Sequence, residues 1–127
     1  MEIMRKSSIA TLSNSGVRSE QLLCPENSSS GRVTVTRVTV QPKRVNPPHR
    51  HSNSEQIWVA LEGCGTLLLA GDRTEAFAAG DVVRFEDGEL HGLRNTGDQS
   101  FIYLAVTSPP INFRDIYAED WSKTATP

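Results

Sequence analysis

The sequence contains few of the residues that mark several common classes of protein. Its only cysteines are Cys24 and Cys64, and neither has the CxxC spacing of a zinc or redox site. Their separation alone permits a single disulfide. Because the chain begins without an export signal, a reducing compartment would keep that disulfide open, so we expect two free thiols.

Long apolar runs and an excess of one charge are also missing. No stretch reaches the length of a membrane span, and residues 1–13 lack the apolar core of a signal peptide. We therefore expect a cytoplasmic protein that does not contact a membrane. The formal net charge is -2 with both signs interspersed, which argues against a nucleic-acid partner. A chain of 127 residues has room for one domain, so a single site is expected.

Helical periodicity is a further absence, because no window of helical length keeps apolar residues at three-to-four spacing. Short apolar segments separated by glycine, proline and aspartate turns predict an all-β fold instead. The number and spacing of these segments indicate a closed barrel or jelly roll. A strand begins near Arg32, and further strands are predicted at residues 55–61, 66–70, 74–77, 82–85, 90–95 and 101–107.

The chain divides into three parts around this pattern. Residues 1–30 form an N-terminal segment with a possible edge strand at 17–24 and a flexible loop, and residues 31–108 form the barrel. Residues 109–127 form a C-terminal strap or short helix. The expected packing anchors of this strap are Phe113, Tyr117 and Trp121.

The first barrel strand contains an irregularity in its pattern. Val33 and Val35 share one face, but Val38 and Val40 resume the alternation one residue out of phase. A one-residue slip exchanges the two faces of a strand, so we expect a bulge or corner near Arg37.

The three histidines occupy positions that favour one shared metal site. His49 and His51 are separated by one residue, so in an extended strand both point to the same face, about 6.6 Å apart along its axis. Glu55 begins an apolar strand four residues later, where its carboxylate can return to that face. His91 follows an Asp-Gly turn at the start of a later strand, which a barrel can bring alongside. The predicted ligands are therefore His49, His51, Glu55 and His91.

Three imidazoles and one carboxylate form a coherent set of ligands for one divalent transition metal ion. Imidazole suits Fe, Mn, Ni, Cu, Co and Zn, and the carboxylate offsets part of the charge of the cation. Four ligands leave open positions on an ion that prefers six. The set therefore predicts chemistry or ligand sensing, and a purely structural role is the least favoured.

In these residues the sequence resembles the cupin superfamily. The first cupin motif is Gly, five residues, His-x-His, three or four residues, Glu, six residues and Gly, and it corresponds to residues 43–63. The second is Gly, five residues, Pro-x-Gly, two residues, His, three residues and Asn, and it corresponds to residues 80–95. The departures from the motifs are Lys43 for the first glycine, Glu86 for the proline, and seven residues instead of six between Glu55 and Gly63.

The resemblance implies a double-stranded β-helix barrel with a metal near one mouth, commonly built as a homodimer. The apolar strand around Trp58 and the strand-like N-terminal segment that precedes the barrel support the dimer. Trp58 is out of phase with Glu55, so simple alternation places it on the opposite face, against a partner subunit or the terminal segment.

Other polar residues near the motifs have two interpretations each. Asn95 either supports the site or caps the end of its strand. Arg84 and Arg94 are either solvated strand residues or attract an anionic substrate to the mouth of the barrel.

Two functions fit this site. The first is a metalloenzyme that acts on a small polar molecule, by dioxygenase-type chemistry or as a Lewis-acid isomerase, lyase or decarboxylase. Because every histidine is a predicted ligand, proton transfer would fall to Glu86, Tyr103, another carboxylate or metal-bound hydroxide, which favours metal-centred chemistry including oxygenation. The alternative is a non-catalytic small-molecule-binding or sensor protein, which would need a separate partner protein because the chain has no output domain.

Overall fold

A computed structural model describes residues 1–121, and in this range two antiparallel sheets form the body of the protein. The ten strands are β1 (Ala10–Asn14), β2 (Val17–Leu23), β3 (Thr34–Val40), β4 (Val45–His49), β5 (Glu55–Glu62), β6 (Cys64–Leu69), β7 (Thr74–Ala78), β8 (Val82–Phe85), β9 (His91–Arg94) and β10 (Phe101–Ser108). A four-residue helix, α1 (Arg114–Tyr117), follows the last strand.

The larger sheet has the order β1-β2-β3-β10-β5-β8, and the smaller has the order β4-β9-β6-β7. This arrangement confirms the all-β jelly-roll prediction. β1 and β4 were not predicted, because β1 is largely exposed and β4 contains two prolines, which usually exclude a segment from a central strand. β4 tolerates them because it lies at the edge of its sheet. β2 is an inner strand instead of an edge strand, since β1 pairs with it.

The expected bulge near Arg37 is wrong. β3 alternates regularly, with Thr34, Thr36, Val38 and Val40 buried and Arg37 exposed. In the first half of β3 the inward positions are occupied by Thr34 and Thr36 instead of by valines. The strand therefore keeps one register, and only the type of residue on its inner face changes. The register shift in this part of the sheet lies in β2.

Aromatic side chains fill much of the space between the two sheets. Trp58 is 1% exposed, and its ring centroid lies 4.3 Å from that of Tyr103 and 5.0 Å from that of Phe85. Trp58 does lie on the face opposite Glu55, but that face is the interior. Of its two expected neighbours, the partner subunit is therefore wrong, whereas the terminal segment is correct, since Trp121 belongs to the same core cluster. The homodimer stays a prediction without this support.

The C-terminal strap lies against the barrel. Phe113 and Trp121 are 7% and 4% exposed, and Tyr117 packs partly buried against the core. The side-chain amide of Asn14 donates hydrogen bonds to the carbonyl oxygens of Tyr117 (2.9 Å) and Glu119 (2.6 Å), which ties the strap to β1. The part of the strap prediction that covers residues 122–127 lies outside the described residues.

Both cysteines are free thiols, as expected, with Cys24 buried and Cys64 exposed. Among the described residues, no helix has the length and apolar character needed to cross a membrane.

Candidate metal centre

Three imidazole rings converge where β4 meets β9. His49 ends β4 and pairs in register with His91 at the start of β9, while His51 lies in the loop that leads to β5. A register shift at the two prolines of β4 precedes His49. Their ligand-capable atoms all lie within 4.8 Å of one another. The structure thus brings together the three histidines that the sequence selected.

Backbone carbonyl groups orient two of the rings. Nδ1 of His49 lies 2.7 Å from the carbonyl oxygen of Pro47, and Nδ1 of His91 lies 2.8 Å from that of Glu89. An N–H at each Nδ1 donates to these oxygens and leaves the lone pair of Nε2 available to a metal. Nε2 of His51 is buried and has no hydrogen-bond partner in the described part of the chain. A buried ring nitrogen without a hydrogen-bond partner fits the role of a metal ligand.

Glu55 does not join the histidines, contrary to the sequence-based expectation. Its side chain is 39% exposed, and its Oε2 accepts a hydrogen bond from Nε of Arg84 at 2.7 Å. Glu55 begins β5 on the outward face of the strand, so the alternation of the strand turns the next residue inward.

Gln56 occupies the inward position beside the histidines. It is 3% exposed, and its Oε1 lies 2.9 Å from Nε2 of His91. The indole N–H of Trp58 donates to the same oxygen at 3.1 Å, while the amide nitrogen of Gln56 donates to the hydroxyl of Thr107 at 2.8 Å. These two contacts fix the amide with its oxygen toward His91.

The sequence contained a signal for Gln56. Six residues separate Gln56 from Gly63, and four separate it from His51, as the first cupin motif requires. The preference for an acidic ligand favoured Glu55 instead, although its spacing from Gly63 is one residue too long. Spacing was the better guide because it reflects which residues of β5 share the inner face.

The nitrogen and oxygen atoms around His91 are arranged in a way that suits a metal ion. Both ring nitrogens of His91 face oxygen acceptors, Glu89 O and Gln56 Oε1, but a neutral imidazole carries only one N–H. With that hydrogen at Nδ1, the lone pairs of Nε2 and Oε1 face each other. His91 and Gln56 would relieve this repulsion by holding a cation, so three imidazoles and one amide oxygen suit a divalent transition metal.

Burial keeps the three rings neutral. Loss of solvation lowers the pKa of His51 to about 4 and that of His91 to about 3, and nearby His49 adds electrostatic repulsion to both. Loss of solvation also lowers the pKa of His49. Neutral imidazole is the form that binds metals, so the site is ready for an ion at pH 7 without loss of protons.

A small cavity of about 20 Å³ is lined by His49 and Gln56 on the side of the histidine cluster. The strap covers it, and the ring of Phe113 stands perpendicular to that of His51 at 5.9 Å between centroids. Deeper inside, the side-chain amide of Asn46 donates to the hydroxyl of Tyr103 at 2.8 Å. No charged side chain of the described residues lines this cavity, if the histidines are neutral.

The remaining candidates lie elsewhere. Asn95 is fully buried and donates to the carbonyl oxygens of Val40 and Gln99, so it supports the end of its strand. Arg84 is on the surface, paired with Glu55, and Arg94 lines a separate surface cavity. Neither arginine lies at the histidine cluster.

Gly92 controls how closely β4 and β9 approach. A Cβ atom at this position would lie 2.8 Å from both the carbonyl oxygen of Asn46 and the backbone nitrogen of Pro48. Gly92→Ala is expected to push β4 away, which separates His49 from His91, lowers metal affinity and costs about 1–3 kcal/mol of stability. Urea unfolding and metal titration measure the two effects.

Gly31→Ala is the matched control, since nothing lies within 4 Å of a Cβ added there. Wild-type stability and metal affinity in Gly92→Ala would show that the strand spacing does not position the histidines.

Known proteins match this sequence and share its fold. The family model described as a cupin domain matches residues 36–107. Auxin-binding protein 1 of Arabidopsis thaliana is 36% identical over 92 residues, which cover 65% of this chain and 45% of that protein. The chain thus matches less than half the length of that curated relative.

Solved structures show the same architecture. A predicted oxalate decarboxylase from Thermotoga maritima superposes with a TM-score of 0.72 and 25% identity, covering 84% of this chain and 98% of that one. Ectoine synthase from P. lautus has a TM-score of 0.77 at 16% identity over 92% and 84% of the two chains, which shows a shared fold. Since the family model covers more than half of the sequence and its strands form the same barrel, this chain belongs to the cupin domain family.

Proposed function

We propose that this protein is a metal-dependent enzyme that acts on a small polar molecule, with one divalent transition metal ion held by His49, His51 and His91. The observation that carries the proposal is the convergence of three imidazoles, with ligand atoms within 4.8 Å, beside an inner cavity. A bound ion supplies Lewis acidity and, where it is redox-active, electrons for oxygen chemistry.

The side chains around the cavity bind and enclose a molecule more readily than they exchange protons with it. Burial raises the pKa of Tyr103 well above its usual range, and it raises the pKa of Tyr117 as well. Both therefore remain neutral phenols near pH 7. Glu86 is on the surface, where it pairs with Arg84. With few groups to transfer protons, metal-centred chemistry of the dioxygenase type is favoured over acid-base catalysis.

The strap excludes water from this chemistry. A cavity of about 20 Å³ holds about one or two water molecules, so a larger substrate enters only when the strap moves. Two exposed hydrogen bonds between Arg114 and Glu26, at 2.6 and 2.9 Å, hold the strap on its outer side. Surface ion pairs of this kind stabilise weakly, which suits a segment that opens and closes.

The similarity to a predicted oxalate decarboxylase supports a small oxygen-rich substrate for this site. Such molecules place two oxygen atoms on one metal ion.

The test is oxygen uptake by protein loaded separately with Fe(II), Mn(II), Ni(II), Cu(II), Co(II) or Zn(II), assayed against small dicarbonyl and dicarboxylate compounds that include oxalate. Substrate-dependent oxygen consumption with at least one metal, lost in His51→Ala, is the expected result. Stoichiometric binding of these compounds without product or oxygen consumption would show that the protein is a binding protein and not an enzyme.

A further inference from the structure

The fourth position of the metal centre is electrically neutral. Gln56 places an amide oxygen beside His91, where the cupin motif has the carboxylate of a glutamate. The indole of Trp58 and the hydroxyl of Thr107 hold this amide in one orientation. The position is therefore built around a neutral oxygen donor.

Among the described residues, the carboxylates near the centre lie on its outer side, and none of them lines the inner cavity. Glu55 points outward and is paired with Arg84 at 2.7 Å. Glu119 and Asp120 line a surface cavity with His49, and Glu119 acts on His49 electrostatically, but both carboxylates are exposed on the strap, where solvent screens their charge. No charged side chain of residues 1–121 lines the inner cavity, the neutral histidines aside.

A divalent ion at this site would therefore keep its full charge in a largely apolar enclosure. Burying a charge without a counter-charge costs free energy, and this cost is smaller when a ligand of opposite charge is buried beside it. The described residues of the inner cavity do not supply this counter-charge, so a bound ligand would have to supply it.

On the basis of the proposed metal site, we propose that Gln56 makes this centre selective for an anionic oxygen donor, a carboxylate or an enolate, whose negative charge replaces the one that a glutamate would provide. The ligand binds the ion through oxygen, and the uncharged cavity wall accepts its remaining atoms. In cupins with a carboxylate at this position, the same anion would meet a less positive centre.

Gln56→Glu isolates the charge because the two side chains have nearly the same shape. A carboxylate at this position accepts hydrogen bonds from both the indole N–H of Trp58 and the hydroxyl of Thr107. Gln56→Leu is the companion variant, since it removes the amide without adding charge.

The experiment uses Co(II)-loaded protein and formate, the smallest carboxylate, at constant ionic strength, with the visible absorption of cobalt as the readout. Gln56→Glu is expected to bind Co(II) about tenfold more tightly than the wild type and formate about tenfold more weakly. Gln56→Leu is expected to bind Co(II) more weakly than the wild type, because the ion loses one oxygen ligand and gains no charge in exchange.

Formamide, the neutral counterpart of formate, provides a test that needs no variant. The wild type loaded with Co(II) is expected to bind formate at least about tenfold more tightly than formamide. Equal affinities for the two probes, or formate affinity in folded Gln56→Glu equal to that of the wild type, would overturn the proposal while the metal site stands. A wild type that takes up no Co(II) would overturn both.

Discussion

His51→Ala is expected to lower the bound divalent metal from about one ion per chain to less than about a tenth, and His49→Ala and His91→Ala are expected to do the same. Each change leaves only two imidazoles and the amide of Gln56. Losing an outer partner of a metal ligand already costs about 10–100-fold in affinity, so losing a ligand itself should cost more. Elemental analysis after dialysis against a defined metal solution measures the occupancy.

Glu55→Gln is the matched control for this prediction. Glu55 is adjacent in sequence to Gln56, but its carboxylate faces Arg84 at the surface. Its replacement is expected to leave occupancy at the wild-type level. Full occupancy in all three histidine variants would rule out the site, and loss of metal in Glu55→Gln would return the carboxylate to the ligand set.

Trp58→Ala is expected to destabilise the protein by about 3–5 kcal/mol. Trp58 is 1% exposed, and its ring contacts Phe85, His91 and Tyr103 at centroid distances of 5.0, 5.4 and 4.3 Å. Removing the ring leaves a void between the sheets, and it also takes a hydrogen bond from Gln56. The free energy of unfolding from urea titration, in metal-free protein, gives the magnitude.

Val82→Ala provides the comparison, because Val82 is 63% exposed in β8 and buries little of its side chain. Its replacement is expected to change stability by less than about 0.5 kcal/mol. An equally small effect of Trp58→Ala would contradict the interior placement of the indole.

Much of the fold was predictable from local pattern. The strand at Val82–Phe85 was predicted with its observed bounds, and most others within one or two residues, because turn residues bracket alternating apolar segments. β4 was not predicted because a strand with two prolines is tolerated only at the edge of a sheet, and the position of a strand in its sheet is set by the tertiary structure. The bulge prediction was wrong for a related reason. Whether a threonine of β3 faces the interior depends on how the two sheets pack, which the local pattern does not contain.

The sequence by itself determined the family, the all-β fold and the three histidines that meet at one point, because motif spacing and turn chemistry are local properties. The tertiary structure decided between Glu55 and Gln56, for which motif spacing and the preference for an acidic ligand disagreed. It alone decided that Trp58 packs inside the barrel and that the strap covers the cavity. Alternation along a strand identifies which residues share a face, but pairing and packing with distant strands select the face that is buried. For β5 that choice placed a neutral amide beside the three histidines.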